Sequence, residues 1–244
     1  MTLMRQPSRQ GIARFSVRTE FWRSTRQRWL EICLVLLVAC GGYVLSAIWL
    51  LVGGQSTAPP ISSARWAVGI MHEGTALLLL AYVLSRQGLG LANLGLRWSL
   101  SDVGTGLLVA GMSLAAYSFG HAFVQVIHHF LYGSFATGPS ARDFFAHPTV
   151  VAIPFTLLNP FFEELIVRAY LMSEIIELTG SSKLAVALSV GVQFSYHLYY
   201  GWSGAISLSF VFLVSALYYE YARRALPVIV AHGFFDLYGL VRLW

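Results

Sequence analysis

Two adjacent carboxylates and one guanidinium lie in a segment that is otherwise apolar, NPFFEELIVRAYL, residues 159–171. The charged side chains belong to Glu163, Glu164 and Arg168. At the centre of a bilayer each such charge costs about 2.5–3.5 kcal/mol on insertion scales, and charged residues kept there usually serve a function. This segment is therefore the first candidate for a chemically active site.

Helical spacing divides the three charged residues into a pair and a single carboxylate. Glu164 and Arg168 are four residues apart, with the acid first, so they can pair on one helical face. Glu163 is rotated by about 100° from Glu164 and need not share that partner. An unpaired buried carboxylate suits a general base that takes a proton from water. The alternative is a buried salt bridge that stabilises the bundle, with Glu163 facing a water pocket.

Three further ionisable residues follow in apolar segments downstream. His197 lies in QFSYHLYYG, and His232 and Asp236 lie four residues apart in AHGFFDLYG, so the last two share a helical face. Imidazole and carboxylate groups can activate a water molecule, hold a metal ion or stabilise an oxyanion. The segments together predict one composite site.

The elements that position this site are predicted to be membrane helices. Of the 244 residues, 57% are apolar and only 11% are charged, whereas soluble domains carry about 25% charged residues. We predict an all-α, polytopic integral membrane bundle of seven to eight transmembrane helices, with the catalytic core in the C-terminal half. A span needs roughly 20 apolar residues, and the candidate spans are 30–52, 64–85, 101–132, 149–179, 183–200, 203–222 and 226–243.

Charge distribution predicts the orientation and the division of the chain. Residues 1–29 are predicted to form a basic cytoplasmic arm, residues 30–148 the N-terminal membrane helices, and residues 149–243 the catalytic core. Under the positive-inside rule the arginine-rich arm places the N-terminus in the cytoplasm of a cell-membrane protein. An organelle transit peptide is the alternative for the arm. No nucleic-acid module follows it, so we expect the lipid bilayer and no nucleic acid as a partner.

One helix is predicted to be interrupted. Pro160 lacks a backbone donor and clashes with the preceding turn, so a break is expected near it. Asn159 would then cap a new helix with Pro160 as its first residue. Residues 149–160 would form a half-span or a short eighth segment, and Glu163 would lie at the start of a helix inside the membrane.

Two more ionisable residues, His72 and Glu73, are neighbours in the second predicted span. They could line a substrate cavity or belong to a proton path. Interhelical hydrogen bonds are the simpler interpretation, because buried polar groups in helix bundles are usually satisfied in that way.

The ordered motifs resemble those of a known family, the CPBP (Abi) family of intramembrane proteases. This family includes type II CAAX prenyl endopeptidases, lysostaphin-resistance proteins and bacteriocin-immunity proteins. The resemblance covers roughly residues 149–243 and rests on Glu163-Glu164-x-x-x-Arg168, then His197, then His232-x-x-x-Asp236.

The resemblance implies an endopeptidase that hydrolyses a peptide bond in a membrane-associated protein or peptide. The implied roles are water activation by Glu163 and His197, oxyanion stabilisation by His232 and Asp236, and support of the site by Glu164 and Arg168. The resemblance does not identify the substrate, a prenyl requirement or the oligomeric state.

The resemblance bears on metal dependence as well. The family was once described as metal-dependent, whereas a metal-free glutamate mechanism is now favoured, so we expect no metal cofactor. Zinc is the alternative, because one glutamate and two histidines also suit that ion. Its ligands would be Glu163, His197 and His232.

Two positions depart from the family pattern or limit its interpretation. The second motif is usually Phe-x-x-x-His, but Gln193 lies four residues before His197, and the nearest phenylalanine, Phe194, lies only three before. The last position is Asn or Asp in the family, and an ionised Asp236 cannot donate a hydrogen bond. It must be protonated, orient His232 or contact a metal.

Two other functions are compatible with the sequence. A non-catalytic membrane scaffold or immunity protein of the same fold is one, and the Gln193 departure keeps it open. A proton-coupled transporter that relays protons through buried Glu and His residues is the other, although no inverted repeat is detectable.

Overall fold

The computed structural model describes residues 24–53, 62–137 and 150–241, and within these ranges it contains helices and no strand. The predicted all-α class is confirmed. Most of the predicted basic arm and the boundary between residues 148 and 149 lie outside the described residues. The helices are α1 Thr25–Val52, α2 Ser63–Arg86, α3 Leu100–Tyr132, α4 Ala152–Glu163, a π-helical segment Glu164–Tyr170, α5 Leu171–Thr179, α6 Ser182–Tyr196, α7 Gly201–Ala222 and α8 Ala225–Val241, with short 3-10 turns at Leu91–Leu94 and Leu198–Tyr200.

The helices of the described ranges form seven rods, because α4, the π-helical segment and α5 run on without interruption. By length and composition, four helices of the described residues can cross a membrane: α1, α2, α3 and the stretch Leu198–Ala222. The apolar helix α8 is shorter. The number of such helices is lower than the seven to eight predicted spans.

The predicted break near Pro160 is wrong. Pro160 and Asn159 both lie inside α4, so Asn159 is not an N-cap and no separate eighth segment forms. A Cβ atom on Gly233 of α8 would lie 3.5 Å from Cγ of Pro160, so the proline ring packs closely on that helix. An internal proline costs roughly 3 kcal/mol, and this close packing on α8 contributes to offsetting that cost. Glu163 therefore ends α4 within a continuous rod.

The helical irregularity follows Pro160 instead of coinciding with it. Residues 164–170 form the π-helical segment, in which hydrogen bonds run from i to i+5. All seven of its residues are buried. Two of the three charged residues, Glu164 and Arg168, lie in this segment, so the locally widened helix carries the ion pair of the motif.

The core surrounds this rod. Leu165, Ile166 and Ala169 of the π-helical segment belong to the largest buried apolar cluster, which also takes side chains from α1, α2 and α6. On the outer side, Arg28 of α1 pairs with Glu174 and Glu177 of α5 at 2.8 and 2.7 Å. The site residues are thus held between helices that pack on both sides of the rod.

Close approach of α3 to α7 and α8 depends on small residues. A Cβ atom on Gly106 would lie 2.6 Å from Cβ of Val230 on α8, and one on Gly120 would lie 2.4 Å from the Phe210 ring on α7. Small residues allow membrane helices to approach at this distance. This packing fixes α8, which carries two of the predicted site residues.

We predict that Gly106→Ala destabilises the bundle. The new Cβ atom would also meet the backbone carbonyl oxygen of Pro227 at 2.9 Å, so α3 and α8 would have to separate. Overpacking of this kind costs about 1–3 kcal/mol and should lower Tm in detergent. Gly104→Ala on the same helix is the matched control, since nothing lies within 4 Å of the added atom. Equal Tm values for the two variants would contradict the predicted packing.

Candidate active site

Glu163 is buried at the end of α4, and its two carboxylate oxygens differ in their environment. Oε2 accepts hydrogen bonds from the Tyr196 hydroxyl at 2.7 Å and from the Gln193 amide at 3.0 Å. Oε1 accepts one long bond, at 3.4 Å, from the side-chain amide of Asn159. One oxygen is therefore fixed by strong donors, and the other has capacity for a further donor.

Arg168 holds the deepest charge of the site. Its side chain is fully buried, Nη1 donates to the Ser189 hydroxyl at 2.7 Å, and Nη2 donates to the Gln193 side-chain oxygen. Its Nε lies 3.4 Å from Oε2 of Glu164 as an ion pair without hydrogen-bond geometry. The guanidinium also lies over the Phe212 ring, 5.9 Å from its centroid. The predicted pairing of Glu164 with Arg168 is present, but it is one of several contacts.

Gln193 connects the ion pair to Glu163. Its side-chain oxygen accepts from Arg168 and its amide nitrogen donates to Oε2 of Glu163. The side chain is completely buried on α6. A phenylalanine, the usual residue of the family motif at this position, has no donor or acceptor for these contacts. Glutamine at this position therefore adds a hydrogen-bonded link between Arg168 and Glu163 that the usual motif residue could not make.

His197 lies at the C-terminal end of α6, where one of its ring nitrogens is engaged. Its Nδ1 lies 2.9 Å from the Gln193 backbone carbonyl, and because a carbonyl only accepts, Nδ1 carries the hydrogen. The ring packs against Tyr200 and Phe212. In the neutral imidazole Nε2 is then the nitrogen able to accept a proton. His197 interacts electrostatically with Glu163, so the two lie in one site.

His232 and Asp236 bring the last motif into the same site from α8. Nδ1 of His232 donates to Oε1 of Glu164 at 2.9 Å, and Nε2 lies 3.7 Å from Oδ1 of Asp236. The second distance is too long for a hydrogen bond. His232 also interacts electrostatically with Glu163. Glu164 is therefore shared between Arg168 and His232, a contact that helical spacing within one segment does not predict.

Asn159 and Glu73 complete the set of polar contacts. The side-chain nitrogen of Asn159 donates to Oε1 of Glu73 on α2 at 2.9 Å, in addition to its long contact with Glu163. His72, next to Glu73, donates from Nε2 to the Ala39 backbone carbonyl of α1 at 2.9 Å. His72 and Glu73 thus each make an interhelical hydrogen bond, as predicted, but Oε2 of Glu73 has no hydrogen-bond partner.

The exposed fraction of the side chains increases across the site from Arg168 to Asp236. Arg168 has no exposed side-chain surface, Glu164 has 2%, His232 has 18% and Asp236 has 28%. The ion pair is thus the closed end and Asp236 the open end.

The residues proposed above for zinc do not form a metal-binding group. Among the described residues, no three His, Cys, Asp or Glu side chains are arranged to hold a metal ion. Nδ1 of His197 and of His232 each donate to another group, which leaves only Nε2 of each ring as a possible ligand nitrogen. Oε2 of Glu163 already accepts from two donors. The described arrangement of Glu163, His197 and His232 is therefore not that of a zinc site.

All six residues singled out in the motifs are brought into one network, and four other residues join them. Sequence reasoning missed the contacts of Gln193 and Tyr196 with Glu163, and it misplaced Asn159 as a helix cap. A glutamine fully inside an apolar span was the available signal for Gln193. The residues brought together are Glu163, Glu164, Arg168, His197, His232 and Asp236, joined by Gln193, Tyr196, Asn159 and Glu73.

Comparison with known proteins agrees with the motifs. Residues 145–238 match a family model described as "Type II CAAX prenyl endopeptidase Rce1-like". No curated protein and no solved structure matches the chain. The matched segment spans all three motifs, and the family resemblance is confirmed over it. This membrane protein therefore carries, over residues 145–238, an Rce1-like domain similar to that of the type II CAAX prenyl endopeptidases.

Proposed function

We propose that this protein is an intramembrane endopeptidase that hydrolyses a peptide bond of a membrane-associated protein or peptide. The observation that carries the proposal is the asymmetry of Glu163. Oε2 is held by Tyr196 and Gln193, while Oε1 has only a 3.4 Å contact, so a water molecule can donate to Oε1. A buried carboxylate positioned in this way is suited to general-base catalysis.

The proposed reaction consumes one water molecule. Glu163 Oε1 takes a proton from water while the oxygen attacks the carbonyl carbon of the scissile peptide bond. Nε2 of His197 accepts a hydrogen bond from the same water and orients it. The tetrahedral intermediate then collapses, the C–N bond breaks, and the proton held by Glu163 passes to the leaving amine. The products are one carboxylic acid and one amine, and the site returns to its initial state.

The oxyanion is assigned to the pair formed by His232 and Asp236. Since Nδ1 of His232 donates to Glu164, a neutral His232 would present an Nε2 lone pair to Oδ1 of Asp236, 3.7 Å away. Two acceptors face each other favourably only when a proton lies on one of them. We propose that the pair holds one proton and that the protonated member donates it to the oxyanion, since at 3.7 Å this hydrogen makes no hydrogen bond within the pair. That donor can bind the developing negative charge.

The remaining assignments follow from the composition and the family. We propose that the protein resides in the cell membrane with a cytoplasmic N-terminus, that the lipid bilayer and the peptide substrate are its partners, and that no metal takes part. A peptide that ends in a prenylated cysteine followed by three residues is the first substrate to test, because the matched family is described as CAAX prenyl endopeptidases.

We predict that Glu163→Gln and His197→Ala each abolish cleavage while the protein folds normally. The probe is a quenched fluorogenic peptide ending in farnesyl-cysteine and three apolar residues, with its unprenylated twin, assayed in proteoliposomes. Membrane peptides released by wild type and not by Glu163→Gln extend the test to other substrates. Glu177→Gln, an exposed glutamate on the same rod, is the control. Full activity of both site variants would rule out the protease, and biological complementation by Glu163→Gln would favour a non-catalytic scaffold.

A second prediction concerns Gln193. Gln193→Leu removes both hydrogen bonds at similar volume, leaving Arg168 and Oε2 of Glu163 each without one buried partner. We expect kcat to fall about 10- to 100-fold, since the lost bond to the Glu163 carboxylate alone is worth about 1.5–3 kcal/mol. Gln193→Phe, which restores the usual motif residue, should lose activity similarly. Ser195→Ala is the control, because among the described residues its hydroxyl donates to the Val192 carbonyl of its own helix and to no site residue. Wild-type kcat in Gln193→Leu would show that the bridge is irrelevant.

A third prediction separates the roles available to Asp236. Asp236→Asn keeps a side chain that can donate from its amide, so it should retain activity within about tenfold of wild type, while Asp236→Leu should lose about 100-fold or more, the usual effect of removing an oxyanion donor. Steady-state kcat on the same probe measures both. Equal losses in the two variants would contradict oxyanion stabilisation through this side chain.

A further inference from the structure

Glu73 lies outside the segment that matches the Rce1-like family, on α2, yet its carboxylate points into the site. It has no exposed surface, and its Oε2 has no hydrogen-bond partner. Its Oε1 accepts from Asn159 at 2.9 Å. It interacts electrostatically with Glu163, Asp236 and His232. A buried carboxyl group with only one donor is unfavourable for folding alone, so a role in the site is the better explanation.

The geometry of Asn159 shows how Glu73 reaches the reacting carboxylate. One side-chain nitrogen, Nδ2, donates at 2.9 Å to Glu73 and at 3.4 Å to Oε1 of Glu163. An amide nitrogen carries two hydrogens in one plane. The short bond to Glu73 therefore sets the plane of the amide, and the plane aims the second hydrogen at Oε1 of Glu163. This is the oxygen that the proposed mechanism assigns to water.

We propose that Glu73 is a positioning residue that, through Asn159, holds the water-activating oxygen of Glu163 in place. The inference rests on the proposed protease function. It assigns part of the active site to the N-terminal helices, which the family match does not cover. Glu73 touches neither substrate nor water in this role and acts only through Asn159.

The groups that face Glu73 come from three other helices. Tyr43 of α1 interacts with it electrostatically. Asn159 and Glu163 face it from α4, and His232 and Asp236 from α8. None of the hydrogen bonds of Glu73 in the described structure goes to an arginine or lysine, so the amide of Asn159 is its principal compensating contact.

Steady-state kinetics on the farnesylated probe, or on a released membrane peptide, test the proposal. Glu73→Ala should lower kcat about 10- to 100-fold and change KM less than threefold, because misplacement of a catalytic group affects the chemical step. Glu73→Gln should recover most of the activity, since its amide oxygen still accepts from Asn159. His72→Gln, the neighbouring residue whose bond goes to α1, is the control and should stay within about twofold of wild type.

A double-mutant cycle distinguishes action through Asn159 from a general structural effect. If Glu73 acts through Asn159, the kcat of Glu73→Ala/Asn159→Ala should equal that of the poorer single variant, because coupled residues are not additive. Multiplicative losses, or an effect of Glu73→Ala on KM alone, would overturn the proposal. So would failure of Glu73→Gln to recover activity when its Tm equals that of wild type.

Failure of the protease function would be visible separately. If wild type and Glu163→Gln release the same peptides, the proposed function fails. The double-mutant cycle of Glu73→Ala and Asn159→Ala is then evaluated from Tm values measured in detergent. Non-additive Tm changes at positions 73 and 159, extending to Glu163→Gln, would support the positioning contact. Additive Tm changes would overturn it.

Discussion

The buried guanidinium of Arg168 imposes the constraint on which the site depends. Arginine stays charged in proteins, and this side chain has no exposed surface. Its charge must therefore be compensated within the bundle, and Glu164, Ser189 and Gln193 provide the contacts from two helical rods. Because each of these partners also contacts another group, the position of Arg168 determines the geometry of the surrounding polar residues. Because the surroundings of the π-helical segment are apolar, bulk water cannot hydrate the Arg168 guanidinium in place of these partners.

The adjacent residues Glu163 and Glu164 have different partners, so their carboxylates lie in different environments. Glu164 is neutralised by Arg168 and by His232, so it supports the site. Glu163 receives hydrogen bonds from neutral donors, two on Oε2 and a long one on Oε1. Neutral donors stabilise a carboxylate without cancelling its charge, which keeps Glu163 available as a base. The proposed division between a structural and a reactive glutamate rests on this difference in their partners.

Gln193 is a hydrogen-bonding residue at a motif position that usually carries an apolar one. The motif that this chain resembles usually has phenylalanine there, whereas this chain links Arg168 to Glu163 through a glutamine side chain. A fully buried glutamine is tolerated since both its oxygen and its nitrogen are satisfied. Glu73 and Asn159 extend the network to α2, so the first part of the chain contributes to the environment of the motif residues instead of serving only as a membrane anchor.

The sequence by itself determined the all-α membrane class and the six motif residues, because hydrophobic composition and the position of charges within apolar segments are local properties of the chain. It also predicted the Glu164–Arg168 pair, since a four-residue spacing fixes that contact. Only the tertiary structure decided that Pro160 stays inside a helix, that Glu164 is shared with His232, and that Gln193, Tyr196 and Asn159 surround Glu163. Each of these depends on which faces of separate helices meet, and the periodicity of one segment contains no information about the approach of another.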